Sequence, residues 1–184
     1  MGMPAPDTYW TLEMVRALPE DGKRYEVLDG VLLVSPAPSY RHHIAVQLLY
    51  EIVAPYTRAN GIGRTMMSPA DIELSQTRMV QPDLFVIPAD IETSSWTDVT
   101  RLHLTAEVLS PSTARWDRKD KRAAYQEKQI PEYWVVDIDA RLVECWRPVD
   151  DRPALLSEIV EWHPLASVHP LRIDLVQYFA DVWS

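Results

Sequence analysis

Apolar positions along this chain fall into two rhythms. From residue 40 to about 56, Ile44, Leu48, Leu49 and Ile52 recur at helical spacing. They predict an amphipathic helix opened by Ser39 and closed at Asn60-Gly61. A shorter helix is expected after Thr11, through Leu12, Val15 and Leu18, with Thr11 as its cap and Glu13 near its positive end. Pro19 stops it. Residues 24–28 and 31–34 are apolar-rich runs around Asp29-Gly30, a hairpin signature. Further on, 63–67 and 70–75 read as a strand pair around Ser68-Pro69. Residues 80–87 read as a strand with Pro82 inside it, which marks an edge, a bulge or a strand start because proline cannot donate to a ladder. A polar loop, 88–100, leads to a strand at 104–109. Residues 117–128 form a charged helix, and 133–138 with 142–147 a hairpin around Asp139-Ala140. From about 148 the pattern gives strand pieces and a C-terminal helix near 175–179. This order implies an α/β or α+β fold with a mixed sheet.

Bulk properties narrow the picture without changing it. A length of 184 residues, 47% hydrophobic and 24% charged, suits one soluble domain spanning 1–184. Fifteen prolines against five glycines point to stiff turns, not flexible linkers. The formal net charge of −9 is unlike that of a protein that holds nucleic acid by bulk phosphate neutralisation. A polyanion would need a local basic patch or a metal ion. Cys145 stands alone, which leaves no internal disulfide and no cysteine-based zinc site. A reducing cytoplasm fits, and neither a signal peptide nor a membrane-spanning run is expected.

Two acids stand out because they interrupt apolar strands. Asp83 precedes Leu84, Phe85, Val86 and Ile87, and Glu107 sits between Ala106 and Val108. Acids are rarely buried unless paired or bound to a metal. If the two strands lie side by side, Asp83 and Glu107 make an oxygen-ligand site for a hard cation such as magnesium. Alternation could equally set both on a solvated face. On the charged helix, Asp117, Lys121 and Tyr125 are spaced by four and share a face. Lys121 could reach a scissile phosphate or a metal-bound water, or merely pair with Asp117 within its own helix. Asp117, or Ser112 and Thr113, could be plain N-caps. Arg115, Arg118, Lys119, Lys121 and Arg122 form the densest basic stretch, where a phosphate backbone could dock or where a solvated face could lie. His42 and Glu26 are further candidates, the first at the start of the long helix and the second in a strand. Histidine spacing offers no zinc site. The seven scattered tryptophans read as core and interface bulk.

Taken in order, YEVLDG, SPAPSYRHHIAVQLL, VQPDLFV, LTAEVLSPST, DRKDKRAAYQ and IPEYWVVD resemble the Uma-type family of restriction endonucleases, within the PD-(D/E)XK nuclease superfamily. The resemblance runs from about Leu12 to Trp146. It implies a restriction-endonuclease-like mixed central sheet flanked by helices, with an extra N-terminal hairpin. The nuclease core would span about 24–147 and a C-terminal extension about 148–184. It also implies a Mg2+- or Mn2+-dependent DNA endonuclease, with Asp83 and Glu107 holding the metal and Lys121 assisting. Glu26 and His42 match recurrent family positions. The superfamily's lysine two residues after the second acid is absent, since that position is Leu109; Lys121 on the following helix takes the family's alternative place. Gln129 stands where the family has glycine. The other reading is a catalytically inactive nuclease-fold protein that binds nucleic acid or another protein. A homodimer packed through Phe179, Val182 and Trp183 is a further expectation.

Overall fold

The computed structural model describes residues 8–92 and 94–184. Helix α1 (Leu12–Arg16) is capped by Thr11, whose hydroxyl accepts from the Met14 amide. Strands β1 (Arg24–Leu28) and β2 (Val31–Ser35) form the expected hairpin. Asp29 and Gly30 both have positive φ, 49° and 86°. A two-residue turn with both central residues left-handed matches the twist of the strands it joins. Helix α2 (Tyr40–Ala59) runs slightly beyond its expected end and carries Pro55 within it.

Strands β3 (Gly63–Met67), β4 (Ile72–Ser75), β5 (Arg78–Val80) and β6 (Leu84–Pro88) depart from expectation in their pairing. β3 does not pair with β4. It pairs antiparallel with β6, while β4 pairs with β5. The run 80–87 is also not one strand, because β5 and β6 belong to different sheets. Proline explains the break: Pro82 has no amide hydrogen to continue a ladder, so the chain leaves one sheet and enters the next across Gln81-Pro82-Asp83. Continuous apolar character cannot distinguish one long strand from two short buried ones.

Four further strands follow, β7 (Leu104–Val108), β8 (Tyr133–Asp137), β9 (Leu142–Trp146) and β10 (Ala154–Leu156). The larger sheet has the order β10-β9-β8-β7-β6-β3 and the smaller the order β2-β1-β5-β4. β7 and β8 run parallel, joined by the helical crossover through 114–127. That crossover begins earlier than expected, as α3 (Ala114–Trp116), widens into a π-helical turn over Asp117–Lys121, and continues as α4 (Arg122–Glu127). Asp117 therefore lies inside the helix and caps nothing. Thr113 occupies the cap position without a side-chain cap bond.

The central strands of the large sheet, β6, β7 and β8, are buried on both faces, which is why they read as apolar runs. One face, with Leu84, Val86, Leu104, Ala106 and Val108, packs on α2 and the C-terminal elements. Those are the hairpin β11 (Ile159–Trp162) and β12 (Leu171–Asp174), and α5 (Leu175–Val182). Phe179 and Val182 are buried in that core of their own chain, and Trp183 is partly buried against it. The other face, with Phe85, Ile87, Tyr133 and Val135, packs on Tyr125 and Ala124 of α4 and on the small sheet. No helix among the described residues is long and apolar enough to cross a membrane.

Candidate active site

β6 and β7 pair with Leu84 opposite Ala106. Extending that register sets Asp83 across from Glu107, on the face that meets α4 and the small sheet. Asp83 is 3% exposed. Its Oδ2 accepts from the Val108 amide at 2.9 Å and meets His42 Nε2 at 3.0 Å. Its Oδ1 takes the Arg24 Nη1 at 2.5 Å. His42 reaches the site because Ser39 starts α2 there, its hydroxyl accepting from the His42 amide.

Glu107 is 2% exposed and tolerated in β7 because its Oε1 is held twice. Lys121 Nζ lies 3.1 Å away and the Tyr125 hydroxyl donates at 2.9 Å. Lys121 is itself 2% exposed and ringed by carboxylates. Besides Glu107, it meets Glu26 Oε1 at 2.8 Å and Asp117 Oδ1 at 3.5 Å. Glu26 also accepts from the Gln81 amide at 2.7 Å, which ties β1 to the chain just before Asp83. The Tyr133 hydroxyl donates to the Asp117 carbonyl at 3.0 Å. A π turn leaves carbonyls off the regular ladder, and here a buried tyrosine satisfies one of them.

The charge balance is uneven. Glu26, Asp83, Glu107 and Asp117 are all buried, against the cations of Arg24 and Lys121. Burial would raise the Asp83 carboxyl, but the His42 hydrogen bond and the charges of His42, Arg24 and Lys121 bring it down to about 2. Glu107 goes the other way. Burial pushes it well above the usual carboxylate range, Lys121 offsets part of that, and Asp83, Asp117 and Glu26 add to it. Burial, with the charges of Glu26 and Asp83, also raises Asp117, against the pull of Lys121 and a Thr113 hydrogen bond. Lys121 stays an ammonium: burial lowers it, yet Glu107, Glu26 and Asp117 lift it well above its ordinary value. The two neighbouring carboxyls are thus pushed in opposite directions, Asp83 by its cationic partners and Glu107 by its burial.

Each of Asp83, Glu107, Lys121, Glu26, His42, Asp117 and Tyr125 thus falls in one buried cluster. The basic stretch divides. Arg118 is engaged by Asp137 and Glu144 at 2.7 and 2.6 Å. Arg122 bonds Gln126 at 2.7 Å and lies over the Trp146 ring at 4.8 Å. Arg115 and Lys119 are exposed. Sequence reasoning missed Arg24, although the signal was present: it lies two residues before Glu26 in the same strand, and alternation puts both on one face. It also missed the Gln81 amide, which acts through the backbone and leaves no mark in residue type, and the Tyr133 hydroxyl, whose partner is a backbone carbonyl.

A cleft of about 860 Å³ opens over Asp83 and His42, walled by α1, the small sheet and α2. A second hollow of about 360 Å³ lies beside it, between Ser39 and Ser112. Glu107 and Lys121 line neither.

Comparison with solved structures gives a crystal structure of a putative nuclease belonging to DUF820 from Anabaena variabilis. It is 17% identical, with a TM-score of 0.79 over 94% of this chain and 99% of that one. At that identity the likeness speaks for the fold, a nuclease-like mixed sheet flanked by helices. No curated protein matches. The profile of the family described as Uma2, putative restriction endonuclease, matches residues 12–174, which take in every strand of both larger sheets and the whole buried cluster. The chain therefore belongs to the Uma2 family of putative restriction endonucleases.

Proposed function

We propose that this protein is a divalent-metal-dependent phosphodiesterase that cleaves DNA at the Asp83–Glu107 pair. One observation carries the reading: an ammonium, Lys121, sits 3.1 Å from a buried acid, Glu107, that lies across the sheet from a second buried acid, Asp83. The donor chemistry fits magnesium or manganese. The cluster has only oxygen ligands besides His42, and its acids outnumber its cations. Asp117 Oδ1 is buried without a hydrogen-bond partner. Among the described residues, no group of three or more His, Cys, Asp and Glu side chains is arranged to hold a metal ion by itself. Magnesium commonly uses one or two carboxylates and takes its other ligands from water and substrate phosphate. Asp83 and Glu107 would hold it, and when bound it would polarise a phosphoryl oxygen and make a water acidic enough to attack.

The chain's own groups set the rest. The Val108 amide and His42 fix the plane of the Asp83 carboxylate, so its orientation costs nothing at the moment of reaction. Lys121, held charged by three carboxylates, acts as a hydrogen-bond donor toward the negative charge of the transition state. The same charge state rules it out as the group that takes the water's proton. The Tyr125 hydroxyl keeps Glu107 in place while that charge builds. In the test, plasmid DNA is incubated with magnesium or manganese, using wild type, Asp83→Ala and Glu107→Ala. Nicking by wild type and its loss in both variants are expected. Metal-dependent nicking that survives both substitutions defeats the assignment.

One observation favours a second reading, a nuclease fold that binds nucleic acid or a protein without cutting: both oxygens of Asp83 are already taken. Calorimetric titration with manganese separates the two, since a binding module without a metal site gives no heat up to millimolar metal.

A further inference from the structure

Arg24 holds an unusual position between the two hollows. Together with Pro38 and His42, it lines both the 860 Å³ cleft and the 360 Å³ hollow. Its guanidinium sits on Asp83 at the point where they meet. The side chain is 17% exposed, whereas that of Asp83 is 4% exposed. The Arg24 Nε is buried with no hydrogen-bond partner. A guanidinium has five donors in a rigid fork and normally grips a carboxylate with two of them. This one reaches Oδ1 through Nη1, with another donor left unsatisfied.

Lys121 is the contrast. It is enclosed, contacts three carboxylates and lines neither hollow. Arg24 has a route, at the seam of two open hollows. Asp83 would keep its orientation without Arg24, because Oδ2 remains fixed by the Val108 amide and His42. Oδ1 is therefore the oxygen of Asp83 that can change partners. With Arg24 off it, the hollows join into one trough with Asp83 at its centre. Lys23, paired with Asp21, lines one arm, and Arg41, stacked over Trp183, lines the other.

Resting on the metal-dependent reading above, we propose that Arg24 and the divalent cation compete for Oδ1 of Asp83, and that the displaced guanidinium binds a phosphate of the DNA strand in the joined trough. Arg24 is then a latch in one position and a substrate-binding group in the other. Exchange of partners conserves charge pairing: the carboxylate passes from guanidinium to metal, and the guanidinium from carboxylate to phosphate, a matched bidentate partner.

The test titrates manganese by calorimetry into wild type, Arg24→Met and Arg24→Lys, and measures binding of a short labelled DNA strand by fluorescence anisotropy in manganese. Removing the competitor should tighten manganese binding by about tenfold or more in Arg24→Met and weaken DNA binding by about tenfold. Arg24→Lys, which keeps the charge and loses the fork, should fall between in both. The opposite signs are the mark of the latch, since damage to the fold lowers both affinities together. Thermal unfolding in chelator checks that each variant is folded, and Arg24→Lys carries the comparison if Arg24→Met is not. Manganese affinity unchanged in Arg24→Met, or both affinities moving the same way, overturns the latch. If manganese still binds wild type and is lost in Asp83→Asn, the metal reading stands without it. No manganese binding to wild type or Arg24→Met overturns both.

Discussion

Replacing Lys121 by methionine tests whether the buried acids form one electrostatic unit. Methionine keeps most of the volume of the lysine stem and removes only the ammonium. Three carboxylates then lose a partner at 2.8, 3.1 and 3.5 Å. Removing one member of a buried ion pair costs about 3–5 kcal/mol, because the charge left behind stays out of water. For a chain of this size each kcal/mol moves the midpoint by about 2–4 °C, so the variant should melt about 6–20 °C lower. The loss has a pH signature. Glu107 and Asp117 already bind protons more tightly than in the unfolded chain. Without the ammonium that tightening grows. The folded state then holds more protons than the unfolded one above the ordinary carboxyl range, so stability falls as pH rises through the raised values. Lys121→Met should stand near wild type at pH 5 and far below it at pH 8. Urea unfolding at several pH values measures this, and Lys121→Met/Glu107→Gln, which deletes both charges, should recover a large part of the loss. A penalty under about 1 kcal/mol at pH 8, or one independent of pH, would refute the coupled cluster.

Asp83 should show the reverse slope: its carboxyl lies near 2 against an ordinary 3.8, so it contributes about 2 kcal/mol above pH 4 that is lost as pH falls toward 2. Acid unfolding of Asp83→Asn should be correspondingly flatter than that of wild type. Gln129 is held left-handed at φ 59°, exposed and bonded only locally, so Gln129→Gly should raise stability by about 0.5–1 kcal/mol in urea titration. Phe179→Ala should cost about 3–5 kcal/mol in the same assay by opening a cavity under α5, and sedimentation should show its oligomeric state unchanged if that helix serves only its own core.

The elements were legible where period and punctuation agreed. Helix α2 shows its apolar spacing, its serine cap and its Asn-Gly stop, and the β1–β2 hairpin shows its Asp-Gly turn. Partners were not legible. β3 and β4 are neighbours in sequence with a turn between them, yet each pairs elsewhere, because both are short strands only partly buried and such a pattern names no partner. The site was legible for a related reason. An acid in an apolar strand is costly enough to need an explanation, and Asp83, Glu107 and Glu26 each carried that mark. Arg24 carried a weaker one, its place two residues before Glu26 on the same strand face, and an arginine at a strand start is ordinary until its partner is known.

The place of the lysine follows from the same physics. Two residues after Glu107, on its face of the strand, stands Leu109, buried with Tyr125, Tyr133 and Val135. A lysine there would run its stem into that cluster and need a partner of its own. The ammonium comes instead from across the interface, on a helix that packs over the acid. A side chain descending from a helix approaches the strand end-on, so one ammonium can serve acids from different elements: Glu26 of β1, Glu107 of β7 and Asp117 of its own turn. The widened turn over Asp117–Lys121 sits where Asp117 and Lys121 both face inward, and Tyr125, one turn on, adds its hydroxyl to the same acid. The helix is thus bound to the sheet by the very charges that form the candidate site, and a substitution that frees Lys121 must loosen the crossover.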